Sequence, residues 1–394
     1  MQYHAIVSFL IGSIFLLPME THAQARSGTL MNPKISLDGL FAAGGSSVND
    51  DQIQILQGGA HDPQKNGFTV QNVELSMTAA VDPYLNGEAH IIYQLDATGE
   101  SRLELEEIFF TTQSLPAGLQ LKGGHYFTEF GRLNNRHPHS WSFVDQPVIS
   151  SRLLGGDGLR NPGLRLSWLA PLPLYSELFF GIQNANGETA SSFLGAADAT
   201  DFEGHPILKN KVSEIGDLLY FTRWLNSVDL TSTTTINLGA SALFGPNATG
   251  ENTRTNIYGV DLYLKWQPLS TVRGWPFVKW QFEWMKRNYE AGASTSVYKE
   301  TLKDWGLYNQ IVWGFIPGWA WGLRYEHADG NGSGNSTNRD RRDRYSTNLT
   351  WFPSEFSKLR LQYNLDDAQH LDKKAHAVWL QFEFMFGAHA AHKF

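Results

Sequence analysis

Two kinds of connection alternate along this chain, and that alternation limits its fold more than any other feature. Short links rich in Pro or Gly occur at Asp82-Pro83-Tyr84-Leu85-Asn86-Gly87, Leu115-Pro116-Ala117-Gly118, Pro171-Leu172-Pro173, Pro268 to Pro276, Ile316-Pro317-Gly318 and Phe352-Pro353-Ser354. Longer polar links lie between them, at 43–67, 132–160, 187–215, 245–253, 289–300 and 329–342. Proline fixes φ and cannot donate to a β-ladder, so the short links are chain reversals. A soluble sandwich or propeller also has many turns, but no reason to sort their lengths by parity. A transmembrane barrel does sort them, with tight turns at one rim and long loops at the other.

The segments between the links carry the matching pattern. Period-2 alternation marks strand candidates near residues 34–42, 68–82, 87–96, 102–112, 118–131, 161–170, 174–186, 216–226, 232–244, 254–267, 276–288, 301–315, 319–328, 343–352, 358–366 and 375–387. Each approaches the ~10 residues that a tilted strand needs to cross the hydrocarbon layer. In the last, Val378, Leu380, Phe382, Phe384 and Phe386 share one parity, while Gln381 and Glu383 take the other. Val73, Leu75, Met77, Ala79 and Val81 repeat this, as do Val278, Trp280, Phe282 and Trp284. Trp266, Trp275, Trp313, Trp319 and Trp351 stand beside short links, where an interfacial aromatic girdle belongs. The expected fold is all-β: a transmembrane antiparallel up-and-down β-barrel of about 16 strands, with short periplasmic turns, long extracellular loops and both termini in the periplasm.

The N-terminus points to a compartment. Ala5 to Leu17 is apolar but too short to span a bilayer, and Ala23-Gln24-Ala25 supplies a small-residue cleavage site. Residues 1–25 therefore read as a signal peptide. Its leading segment departs from the usual pattern, with His4 but no Lys or Arg, and a short membrane anchor is the alternative. Residues 26–394 read as a single outer-membrane barrel domain, since no compositional boundary separates the strands and the first begins too early for a plug. No later apolar run is long enough for a transmembrane helix. The absence of cysteine excludes disulfides and thiolate metal sites. A net charge of −8 without basic clustering argues against nucleic acid as a partner. The expected location is the bacterial outer membrane, among lipid and lipopolysaccharide. The barrel-assembly machinery would act on the C-terminal strand and the aromatic Phe394.

Giving the aromatic-rich parity to lipid places the other parity in the lumen. The inward bases are then Lys122, Arg165, Arg223, Lys265, Lys279, Arg324 and Arg360. The inward acids are Asp38, Glu74, Glu104, Glu106, Glu177, Asp261, Glu283 and Glu326. Opposite signs neighbour one another within strands, as in Lys279 with Glu283 and Arg324 with Glu326. Such charges are usually solvated or paired across strands. An anion filter needs a one-signed ladder. None is visible, so the lumen reads as mixed and polar.

The link from Arg132 to Arg160 is the longest internal one. Its Trp141, Phe143 and Val144 must pack on something, either by folding inward to narrow the pore or by capping neighbouring loops. Folded inward, Arg132, Arg136, His137, His139 and Asp145 become constriction residues. The stretch Gly124-His125-Tyr126-Phe127-Thr128-Glu129-Phe130-Gly131-Arg132, continued by Phe143-Val144-Asp145-Gln146-Pro147, Gly155-Gly156-Asp157-Gly158-Leu159-Arg160 and Gly163-Leu164-Arg165-Leu166-Ser167, resembles Gram-negative porin-like proteins. These relate broadly to the phosphate-selective porin O and P family. The resemblance implies a sixteen-stranded, trimeric porin with its third loop inside. Its motifs cover a small part of the chain, and the missing basic ladder departs from phosphate-selective members.

Histidine supplies the remaining chemistry. His137 and His139 flank a proline, and His389 and His392 follow the last strand. Imidazole pairs could serve Zn²⁺, but a site needs three or four ligands and supporting partners. Exposed polar residues at loop ends are the alternative. His139-Ser140 is the one pair suggestive of a hydrolase, and adjacent loop residues rarely orient as base and nucleophile. No enzyme and no cofactor are expected. The arginines between Asn338 and Arg344 read as contacts to neighbouring loops or lipopolysaccharide phosphates. The expected function is a porin giving passive diffusion of small hydrophilic solutes or ions. The alternative is uptake or binding of a transition metal such as zinc through the His-bearing loops.

Overall fold

A computed structural model describes residues 32–95, 99–294, 297–331 and 337–388. The signal peptide expected at 1–25, and His389 and His392, lie outside these residues. The first eight barrel strands are β1 (Lys34–Ser46), β2 (Gly67–Ala80), β3 (Leu85–Leu95), β4 (Ser101–Thr112), β5 (Leu119–Phe127), β6 (Arg160–Leu169), β7 (Tyr175–Asn184) and β8 (Leu218–Thr231). The others are β9 (Thr234–Pro246), β10 (Arg254–Trp266), β11 (Phe277–Ala291), β12 (Glu300–Ile316), β13 (Trp319–Asn331), β14 (Arg342–Ser354), β15 (Ser357–Ala368) and β16 (Ala375–Gly387). Each pairs antiparallel with its chain neighbours, and β16 pairs with β1 to close the barrel. All sixteen expected strands are present.

Parity follows the pattern read from sequence. On β16, Val378 and Phe386 are 48% and 57% exposed, whereas Gln381 and Glu383 are 1% and 0% exposed. A one-residue slip would exchange these faces, so the apolar outer wall itself fixes the register. Trp266, Trp313 and Trp351 face outward near the short-turn rim, and Trp319 stacks on Trp351 at 6.0 Å. Trp275 corrects the expected girdle. It is buried against Phe277 and Phe352, with its Nε1 donating to the Trp319 carbonyl at 3.0 Å. The link before β11 bridges back on itself at Val272 and Trp275, which turns this indole inward.

The interior is packed by the long links. The first carries helix α1 (Asp50–Leu56), capped by Asn49 and burying Ile53 and Leu56. The 132–160 link, third along the long-loop rim once the connection after Leu95 is counted, carries helix α2 (Val148–Leu154), which packs with Phe130 and Leu159 against wall residues Phe221, Leu243, Ile257, Met285 and Tyr308. Burying each such side chain stabilises the inserted loop by ~1.5–3 kcal/mol. Of the two expected placements, infolding is the one observed: Phe143 and Val144 are each 1% exposed inside the barrel.

Candidate functional site

The third loop turns into the lumen at Gly131. This residue adopts φ +59, and a Cβ there would lie 2.2 Å from Glu283 Oε2, so glycine is required by both conformation and space. The Gly131 N–H donates to Ser241 Oγ at 3.1 Å, and the Arg132 N–H to Glu283 Oε1 at 2.9 Å. The preceding Phe130 fits over Gly259, where a Cβ would meet its ring at 2.7 Å.

Asp145 fastens the far side of the loop. Its carboxylate accepts bonds from Arg324, from Arg344 at 3.0 Å, from Gln362 at 2.9 Å and from Asn364 at 2.6 Å, three adjacent strands in all. Burial alone would raise its pKa, but the two guanidiniums hold it below the usual carboxylate range. Gln362 also accepts the Val144 N–H, and Glu326 takes the Val148 N–H at 2.6 Å. Arg360 donates to the Trp141 carbonyl.

The third anchor is a cluster of histidines and carboxylates. His137 places Nδ1 3.2 Å from Glu74 and 2.8 Å from Glu106, and Nε2 3.1 Å from Glu107. His139 Nδ1 and His90 Nδ1 also reach Glu74, at 3.1 and 2.9 Å. Burial would lower the pKa of His137, but Glu74 and Glu106 outweigh it and hold the ring well above its ordinary value. Cross-strand geometry supplies these carboxylates, whereas the one near in sequence, Asp145, is taken by Arg324 and Arg344.

Below the loop, on the short-turn half, lies a cavity of about 520 Å³. Its charged lining is entirely basic: Arg132, Arg136, Lys265, Lys279, Lys358 and Arg360, with His139 beside them. This corrects the expectation of a mixed lumen without one-signed clustering. The acids of the same strands are covered by the loop or turned into pairs, leaving Arg132, Arg136, Lys265 and Lys279 partly open on the wall, while Lys358 and Arg360 are buried behind it. Arg132 lies 3.5 Å from the Tyr263 ring centre, Lys279 4.7 Å from that of Phe277, and Lys358 pairs with Glu383. A second cavity of about 350 Å³ sits on the long-loop side, lined by Arg152, Arg287, Arg339, Arg342 and Glu203.

The expected site residues thus divide. Arg132, Arg136, His139, Lys279 and Arg360 line the cavity. Asp145, Glu283, Arg324 and Glu326 are covered, because they hold the loop rather than face the open lumen. Arg165 and Arg223 are also covered, by Glu129 and Asp261. Lys122 stands 3.9 Å from the Phe109 ring centre, inside the wall. Lys279 and Glu283, expected as an opposite-sign pair, part company between the cavity and the loop. Of the two contacts expected for the arginines between Asn338 and Arg344, the one to a neighbouring loop is made by Arg342 and Arg344, which donate to the Leu56 carbonyl. Arg339, Arg342 and Arg344 are buried against Asp304 and Asp366, leaving Arg341 as the exposed one. Period-2 counting places Arg342 and Arg344 on the inward parity of β14, a signal obscured by the surrounding polar run.

No family model matches this chain. An uncharacterized protein of Aquifex aeolicus (strain VF5) is 31% identical over 398 residues, covering 92% of this chain and 80% of that one. Among solved structures, the outer membrane channel DcaP of Acinetobacter baumannii superposes with a TM-score of 0.57 at 12% identity, covering 90% of this chain and 96% of that one. An anion-selective porin from Comamonas acidovorans gives 0.52 at 10% identity, over 90% of this chain and 100% of that one. The trimer form of OmpT, an outer membrane protein of Vibrio cholerae, gives 0.52 at 5%, over 90% and 99%. The fold is that of an outer-membrane porin, and the apolar outer wall agrees with residence in the bacterial outer membrane. The narrower resemblance to phosphate-selective porins gains no support from these matches, and neither does transport of a metal.

Proposed function

The chain belongs to one family with the uncharacterized Aquifex aeolicus protein, and from that premise we propose that it is a porin passing small anions in preference to cations. The observation that carries this reading is the cavity of about 520 Å³ whose charged lining is basic throughout. A sphere of that volume is about 10 Å across, which is one Debye length at ~0.1 M salt. The potentials of opposite walls therefore overlap, and every ion crossing the cavity meets them. Transport is diffusive and needs no cofactor or catalytic group. The mature protein is the single domain 26–394, released from its signal peptide, inserted by the barrel-assembly machinery and assembled as a homotrimer.

Reversal potential across a KCl gradient tests this in planar bilayers. Wild type should give the sign of chloride preference, and Lys265→Glu with Lys279→Glu should weaken or invert it. A cation-selective wild type would refute the reading.

A further inference from the structure

We propose that Glu74, His90 and His137 form a site for a divalent transition metal that ties the infolded loop to the barrel wall. Ligand atoms of these three residues all lie within 4.8 Å of one another. Two separations are 2.9 Å, from His90 Nδ1 to Glu74 Oε1, and 3.2 Å, from His137 Nδ1 to Glu74 Oε2. A tetrahedral ion with bonds of ~2.0–2.1 Å spaces its ligands by roughly 3.4 Å, so a set spread over up to 4.8 Å closes on one by drawing its widest pair together.

The orientation of His137 is the second observation. Its Nε2 meets Glu107 Oε2 at 3.1 Å, and a carboxylate there requires N–H on that nitrogen. In the neutral ring Nδ1 then carries a lone pair, which faces Glu74 and Glu106 at 3.2 and 2.8 Å. Two carboxylates thus converge on Nδ1, a place that either a proton or a metal ion fills. Yet neither Nδ1 nor Glu106 Oε2 makes a well-aligned hydrogen bond, although both are buried. Glu107 then serves as the carboxylate that orients a metal-binding histidine, and Ser76 steadies Glu74 at 2.6 Å.

The donors also connect separate elements. Glu74 is on β2, His90 on β3, and His137 on the loop. The ion would be a resident fastener rather than cargo, so the site is independent of the solute that the pore passes. Imidazole and carboxylate together suit Zn²⁺, Co²⁺ or Ni²⁺ better than Ca²⁺.

The test uses the folded full chain in detergent, stripped with chelator, then titrated with Zn²⁺ by calorimetry and with Co²⁺ by visible absorption. One equivalent should bind, with a d–d band of low-symmetry nitrogen and oxygen ligation, and Zn²⁺ should raise Tm. His137→Ala and His90→Ala should each weaken binding at least tenfold, whereas His389→Ala with His392→Ala should leave it unchanged. Glu74→Gln, isosteric with the wild type, covers the case of a variant that fails to fold. Absence of binding by wild type, or binding lost only with His389 and His392, would overturn the proposal. Conductance plays no part in the readout, so failure here is separable from failure of the porin reading.

Discussion

Replacing Asp145 by Ala should release the far end of the constriction loop. The substitution removes an acceptor for four side chains and leaves Arg324 and Arg344 covered, with one carboxylate fewer between them. Breaking one partner of a buried pair costs ~3–5 kcal/mol. At 1.4 kcal/mol per decade, the ratio of docked to released loop falls by roughly two to three and a half orders of magnitude. Phe143, Val144 and Ile149 still favour the docked position, so the released state becomes visible without becoming exclusive. Single-channel recordings should therefore show larger, flickering openings in Asp145→Ala against a steady wild type. Asp145→Asn keeps the shape but loses the charge, and should fall between them. Identical conductance and noise in wild type and Asp145→Ala, with both proteins folded, would refute the assignment of Asp145 as the latch.

Three further outcomes follow from other features. Because the pKa of Asp145 is depressed in the folded state, its contribution is fully present above the ordinary Asp value of ~3.9 and is lost as pH falls through the folded value; the recordings should stay steady from neutral to about pH 4 and flicker only in stronger acid. Gly131→Val meets both a positive φ and the Glu283 carboxylate, so it should destabilise the inward turn by ~1–3 kcal/mol and lower Tm, whereas the same change at the exposed Gly216, outside the positive-φ region and with no atom nearer than 3.6 Å to an added Cβ, should cost far less. Leu380→Arg places a charge on the lipid face near the middle of β16 and should cost ~2–4 kcal/mol in refolding into bilayers, with Arg at the exposed turn residue Asn252 as the control.

The barrel was legible because its causes are local. A period of two, a turn residue and a link length are each written in consecutive residues, and together they specify sixteen strands, their faces and the rim at which each turn lies. The loop was half legible: Trp141, Phe143 and Val144 announced burial without saying where. What escaped was pairing across the lumen. Glu74 and Glu107 lie far from His137 in sequence, and Arg344 lies far from Asp145, so neither contact has a sequence signature. The same separation hid the basic cavity. Counting Lys279 beside Glu283 suggested cancellation, but the loop takes the glutamate and leaves the lysine. Lys358, absent from the expected bases, sits one inward position before Arg360 on β15.

The anchors of the third loop also bear on how the barrel is held shut. Glu74 and Glu107 belong to strands from the first part of the chain, and Arg324, Arg344, Gln362 and Asn364 to strands from the last. Those two groups become neighbours only through the β1–β16 ladder. Between His137 and Asp145 the loop therefore bridges the seam from within, like a clasp laid across the two edges of a rolled sheet. Gln71, bonded to the Val144 carbonyl and to Gln381 on β16, is its stitch at the join. An unrolled or half-inserted chain offers this clasp only one edge to grip, so narrowing of the channel and closure of the cylinder are a single event.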